Sequence, residues 1–172
     1  MTQTAPGVAV VESLRVAQRP VRVVVWALVS AGSVVVLLTP RFLPFYDYPE
    51  WVLQGRIVHD LWTGATSGGI ATSQLYGLVA APVPNLAAPV GIALLSFLLP
   101  IEAAGRAFLV IGVLGFGFGF GYLVRCFQRR PTVVEFTGFL WAFGYFLERG
   151  YVSYLFGLPI AFVAIGLVHR QA

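Results

Sequence analysis

Sixteen consecutive uncharged residues, Val23–Leu38 (VVVWALVSAGSVVVLL), constrain the fold of this chain more than any other feature. With the flanking Val21 and Arg22 they form a helix just long enough, at ~1.5 Å per residue, for a ~30 Å hydrocarbon core. Arg15, Arg19 and Arg22 precede the run, and "TPRFLP" follows it without a small-x-small cleavage site. This pattern is an uncleaved signal anchor rather than a removable leader. Arginines ahead of a first span place the N-terminus in the cytoplasm. Composition agrees: 58% of the 172 residues are apolar and only 10% are charged, against about 25% charged in soluble domains. A water-soluble protein of this size could not hide so much apolar side chain. The expected class is all-α, a polytopic transmembrane helix bundle in the cell membrane, with residues 1–20 as a cytoplasmic arm and 21–172 as the membrane domain.

Further spans follow. Ala107–Val124 is a clear one, Val133–Leu147 begins behind Pro131, and Tyr151–Val168 is interrupted by Pro159. Leu86–Leu99 is apolar but falls short of a full crossing at about 21 Å by helical rise. It is either a re-entrant or tilted segment, or a span completed by Asn85 and Glu102. The basic residues are all Arg and are scattered, which reads as a topology signal and not as a nucleic-acid footprint. Arg125, Arg129 and Arg130 form a dense basic loop, and His169 and Arg170 follow the last span. Placing both groups in the cytoplasm gives four full spans with 86–99 re-entrant. Five plain spans would put Arg125–Arg130 outside, against the rule. A lone cysteine, Cys126, excludes a disulfide framework within the chain.

In "GVLGFGFGFGY", Gly115/Gly119 and Gly117/Gly121 are two small-x-x-x-small pairs on nearly opposite sides of one helix. Each pair admits close approach of a neighbouring helix, within this chain or from a membrane protein partner.

Ionisable and aromatic residues gather in "LPFYDYPEWVLQGRIVHDLW", at the start of an exterior loop spanning about 41–85. Pro49–Trp62 fits a short amphipathic helix at the membrane surface, with Trp51, Gly55, Val58 and Trp62 on one side and tryptophans at headgroup level. Asp47 has the character of an N-cap, with Glu50 at the capping-box position. The same carboxylates suit a general base, or oxygen ligands for a divalent cation. Arg56 and Asp60 form an i,i+4 pair, and His59 lacks a second His or Cys at metal-ligand spacing. Glu102 and Arg106 are also spaced i,i+4, and an Arg106 without an acidic partner would suit a lipid phosphate. Glu135 reads as a first-turn acid complementing a helix dipole. Glu148, Arg149 and Tyr151 fall on the exterior side with Asp47 and Glu50. There they could line one pocket, with Tyr145 and Tyr154 in the interface belt.

The order of these features, "YDYPEW", "PVPNLAAP", "PIEAAGRAFLV" and "RGYVSYLFGLPIAF", resembles the N-terminal part of polytopic GT-C-type glycosyltransferases over roughly residues 21–168. The resemblance implies Asp47 as catalytic base, with Glu50 second, and a polyprenyl-phosphate-linked sugar as donor. Full members carry more spans, so it implies a fragment or a reduced form. Two other readings stand beside it. One is a non-catalytic membrane subunit, consistent with the two-sided glycine helix. The other is a transporter or lipid-handling protein, consistent with the proline-broken helices.

Overall fold

The computed structural model describes residues 6–67, 70–78, 85–128, 132–149 and 151–171, with backbone alone for 6–19, 67, 145 and 146. Arg129, Arg130, Pro131 and most of "APVPN" therefore lie outside the described residues, as do the side chains of Arg15, Arg19 and Tyr145.

The chain is all-α apart from one two-residue hairpin. Helix α1 (Pro6–Leu38) runs straight through Pro20, so residues read as a separate arm continue the helix of the first span. Helix α2 (Tyr48–Thr63) ends on the left-handed Gly64. Thr66–Ser67 pairs antiparallel with Ile70–Ala71, and α3 (Thr72–Leu75) follows. Helix α4 (Ala87–Ser96) is short, and a tight turn at 97–100 leads into α5 (Ile101–Phe127). Next come a 3-10 turn (Val133–Phe136) and the short helices α6 (Thr137–Ala142) and α7 (Tyr145–Glu148). Helix α8 (Tyr154–Gln171) closes the described chain. Among the described residues three helical stretches are long and apolar enough to cross a membrane: Pro20–Leu38, Ile101–Phe127 and Tyr154–Gln171.

Two expectations change here. Val133–Leu147 is not one helix but a 3-10 turn and two short helices, broken near Phe143 and Gly144. Thr137, Gly138, Trp141, Phe143 and Gly144 are all poor helix formers, so little propensity opposes the break. Conversely, Pro159 does not interrupt α8. Proline forfeits one backbone hydrogen bond there, and its ring and backbone pack against α5 instead.

Helix α5 is the axis of the bundle, and its glycines explain why. A Cβ on Gly119 would lie 3.1 Å from the Pro159 Cα of α8. On the opposite side, a Cβ on Gly117 would meet the Phe139 ring at 2.6 Å, and one on Gly121 would meet Trp26 of α1 at 2.5 Å. The two glycine faces thus receive α8 on one side, and α1 with α6 on the other. Each face meets a neighbour from the chain itself. Phe139, Leu109 and Val113 are fully buried in the resulting core, joined by Leu37 of α1 and Leu155 of α8.

Pairings along α5 fix direction. Leu155 and Phe156 lie beside Gly112, while Tyr122 and Cys126 lie beside Gly166, so α5 and α8 are parallel. Trp26 lies beside Gly121, and Arg106 reaches Leu38, so α1 is antiparallel to both. One end of the bundle therefore holds Arg22, Arg125 and Arg170. The other holds the end of α1, the start of α5, and α2 and α4, which pack against each other and against α5. The broken segment joins the two ends: Glu135 lies at the arginine end, and the Glu148 carbonyl accepts from Tyr46 N–H at the other, 3.1 Å away.

Candidate functional site

The residues singled out in the sequence collect at the α2 end. Helix α2 runs Tyr48–Thr63, within one residue of the expected limits at each terminus, and buries Gly55 and Val58 as its pattern requires. Gly55 admits Ile92 of α4, and Gly105 admits Tyr48 and Val52 against the first turns of α5. Trp62 stacks on Phe97 with centroids 6.3 Å apart, and His59 packs on the same ring. The Arg56–Asp60 pair forms, loosely, at 3.8 Å.

Asp47 occupies the N-cap position of α2 but makes no side-chain cap bond. Its backbone, at φ −95° and ψ 1°, is not in the extended region from which a capping side chain turns back onto the helix. The Asp47 carbonyl, not the carboxylate, accepts from Trp51 N–H. The capping box is likewise absent: Glu50 is exposed and accepts from Gln54 Nε2 at 3.0 Å. The half-buried Asp47 thus stands at the positive end of a helix dipole, which favours its charge, without giving the helix a capping hydrogen bond.

Arg106 does not wait for a ligand. Its Nη1 donates to Leu38 O at 2.8 Å and its Nη2 to Arg41 O at 2.9 Å. It thereby satisfies the Leu38 carbonyl that α1 leaves open at its C-terminus and the Arg41 carbonyl three residues beyond. Glu148 and Arg149, with Leu43–Tyr46, line a cavity of about 360 Å³. The structure thus brings these two beside the residues immediately before Asp47. Ser153 Oγ donates to Asn85 O at 3.2 Å, and Tyr151 meets Tyr154 edge-on. Tyr48, on the inner side of α2, has its phenol pushed up to about 12 by burial, with Glu102 adding to the shift and Arg106 opposing it. Among the described residues no three His, Cys, Asp or Glu side chains gather as metal ligands.

The most strongly built polar cluster lies at the opposite end, and sequence reasoning missed it. Glu135 is 1% exposed. It accepts from Arg22 Nε and Nη2, both at 2.8 Å, and from Arg125 Nε at 2.6 Å. Glu135 does stand in the first turn of the 3-10 helix, and its carboxylate is also clamped by arginines from two other helices. The Arg125 guanidinium also lies 5.2 Å from the Trp26 ring centroid. Trp26 itself is packed by Phe118, Phe136 and Phe139. The available signal was topological: if arginines crowd one membrane face, an acid arriving at that face is their natural partner.

No family model, curated protein or solved structure matches this chain. Fold and site together define an all-α protein with, among the described residues, three helices long and apolar enough to cross a membrane.

Proposed function

We propose that this chain is the N-terminal membrane part of a GT-C-type glycosyltransferase, with Asp47 as the base that activates an acceptor hydroxyl. The protein crosses the plasma membrane four times, with α1, α5, the broken 133–148 segment and α8 as the passes. Helix α4 is re-entrant and α2 interfacial, and the arginine end faces the cytoplasm. Helix α1 runs against α5 and α8, which are parallel to each other, so a return pass between them, together with the arginines at one end, supports that count. The observation that carries the chemical reading is the Asp47 carboxylate, which sits at an N-cap position yet caps nothing. A general base must keep its lone pairs for the incoming proton. In the proposed step the acceptor oxygen bonds to the anomeric carbon of the sugar and yields its proton to Asp47. The bond from that carbon to the lipid phosphate breaks, and the polyprenyl phosphate leaves with the electron pair. Glu148, Arg149 and Tyr151 border the approach, and Glu50 stands one helical turn from the base.

The test is sugar transfer from a polyprenyl-phosphate-linked donor in membranes carrying the full protein. Asp47→Asn is expected to lose a factor of about 10²–10⁴, the usual worth of a positioned base, while Glu50→Gln keeps most of the rate. Wild-type transfer by Asp47→Asn would remove Asp47 from the mechanism.

A non-catalytic subunit is the second reading. It is favoured by Arg106, whose guanidinium is engaged with backbone carbonyls rather than aimed at a phosphate.

A further inference from the structure

The arginine end carries more positive charge than its internal partner neutralises. Arg22 and Arg125 share the single carboxylate of Glu135, which leaves one positive charge over. Arg125 spends only Nε in that contact, so the ion pair does not use its two terminal nitrogens. A second cation, without an acidic partner among the described residues, stands at the same end: the Arg170 guanidinium lies 5.1 Å from the Tyr122 ring centroid. A cavity of about 490 Å³ opens between Arg22, Trp26, Phe118, Tyr122 and Arg125.

That cavity does not end at the arginines. Phe118 and Tyr122 also line a groove of about 700 Å³ that continues along α5 beside Pro159, Ile160 and Ala164 of α8. Its wall includes Gly115 and Gly119, where the absence of side chains deepens it, and no charged residue lines it. From Arg125 to Gly115 the run measures about 15 Å by helical rise, roughly half the ~30 Å hydrocarbon thickness of a bilayer. The arrangement is amphiphilic in one direction: cations at the membrane face, an apolar trough reaching toward the mid-plane, and aromatic rings where the two meet.

We infer that this groove binds an anionic phospholipid of the leaflet at the arginine end, with its phosphate between Arg125 and Arg170 and one acyl chain along the glycine-floored trough of α5 and α8. Charge complementarity selects the head group. An anionic lipid answers the two excess positive charges, which a zwitterionic head would meet with its own cation. A groove one leaflet deep selects a chain-bearing molecule over free phosphate. The inference does not rest on the transferase reading, because the groove lies at the opposite end of the bundle from Asp47.

The test uses the full chain, purified in mild detergent and offered phosphatidylglycerol or phosphatidylcholine, with bound lipid counted by native mass spectrometry. Wild type should retain phosphatidylglycerol with at least about fivefold preference, the worth of one arginine near an anionic lipid. Arg170→Gln, outside the Glu135 cluster, should reduce that preference by about the same factor. Ala164→Trp, which fills the trough at an exposed position, should abolish retention while leaving the melting temperature unchanged. Inorganic phosphate in millimolar excess should not displace the lipid. Equal retention of the two lipids, undiminished retention by both variants, or displacement by inorganic phosphate would each overturn the assignment. Loss of sugar transfer in Asp47→Asn leaves it untouched.

Discussion

Glu135 carries the largest electrostatic stake of any single residue. Its two arginine partners come from α1 and α5, one of them 113 positions away in sequence. Breaking a buried ion pair by removing one partner typically costs about 3–5 kcal/mol, and because the arginines left behind are 28% and 44% exposed the cost here falls at the low end. Glu135→Ala should therefore lower the thermal midpoint in detergent by on the order of 10 °C. Replacing Arg22 by Leu in the same molecule should recover part of the loss, since one excess cation is then gone. Equal midpoints for wild type and Glu135→Ala would mean that the cluster contributes nothing to stability. At the other end Tyr48 supplies a pH signature. A free phenol titrates near 10, and burial holds this one at about 12 in the folded chain. The folded state thus binds the proton more tightly than the unfolded state does. The resulting stabilisation is complete below pH ~10 and is lost as pH rises through about 12. Ultraviolet titration of wild type against Tyr48→Phe should show one phenol ionising late, and its absence would remove the buried environment inferred for this side chain. The sequence revealed Asp47, Glu50, Arg106 and Glu148 as candidates because residue type and local spacing suffice to notice them. It could not show that Asp47 fails to cap or that Arg106 closes α1, since both depend on backbone angles and on partners distant in the chain.

The helix α5 shows how far glycine spacing can be read. Two small-x-x-x-small pairs on opposite faces imply close neighbours on both sides, and the neighbours are α8 at one face and α1 with α6 at the other. Spacing alone could not reveal that those neighbours belong to the same chain. The two faces differ in tolerance. At Gly117 an added methyl would overlap the rigid, fully buried Phe139 ring at 2.6 Å, and overpacking of this kind costs about 1–3 kcal/mol. Gly32 on α1 has nothing within 4 Å of an added Cβ, so the same change there meets no obstacle. Gly117→Ala should thus lower the thermal midpoint, whereas Gly32→Ala should leave it level or raise it slightly. A reversed order would contradict the packing of α6 on α5. The broken 133–148 segment was the hardest element to read. Its apolar length matches a span, yet it must deliver Glu135 to α1 and α5, seat Phe139 opposite Gly117, and return Glu148 to the 41–47 loop. A straight helix would serve these three anchors only if they happened to share one face.

The whole molecule is polarised along its axis. Arg22, Arg125 and Arg170 stand at one end, with α2, α3 and α4 gathered at the other. A bundle in a bilayer must place those ends in different aqueous compartments, because neither the arginine cluster nor the irregular hairpin can sit in lipid. Chain direction then follows from packing rather than from hydropathy. Helices α5 and α8 are parallel, so the segment between them must travel back across the bundle, although no helix in it is long enough to span alone. Helices α1 and α5 are antiparallel, so the chain between them begins and ends at the α2 end, and on the proposed topology α4 enters and returns there. The proposed four-pass topology is the one that keeps the short Leu86–Leu99 stretch compatible with arginines on one face. Two single-cysteine proteins test it, each built on Cys126→Ser. Gly77→Cys lies between α3 and α4 with open space around it, and Gln171→Cys lies in the last turn of α8. In intact cells a maleimide that cannot cross lipid should label position 77 and leave position 171 untouched until the membrane is permeabilised. Labelling of 171 alone would place the arginines outside and remove Asp47 from exterior chemistry, and labelling of both would contradict the placement of the two ends on opposite faces. The expected pattern would put Asp47 and Arg125 on opposite faces of the membrane, leaving the carboxylate and the lipid groove free to act on different leaflets.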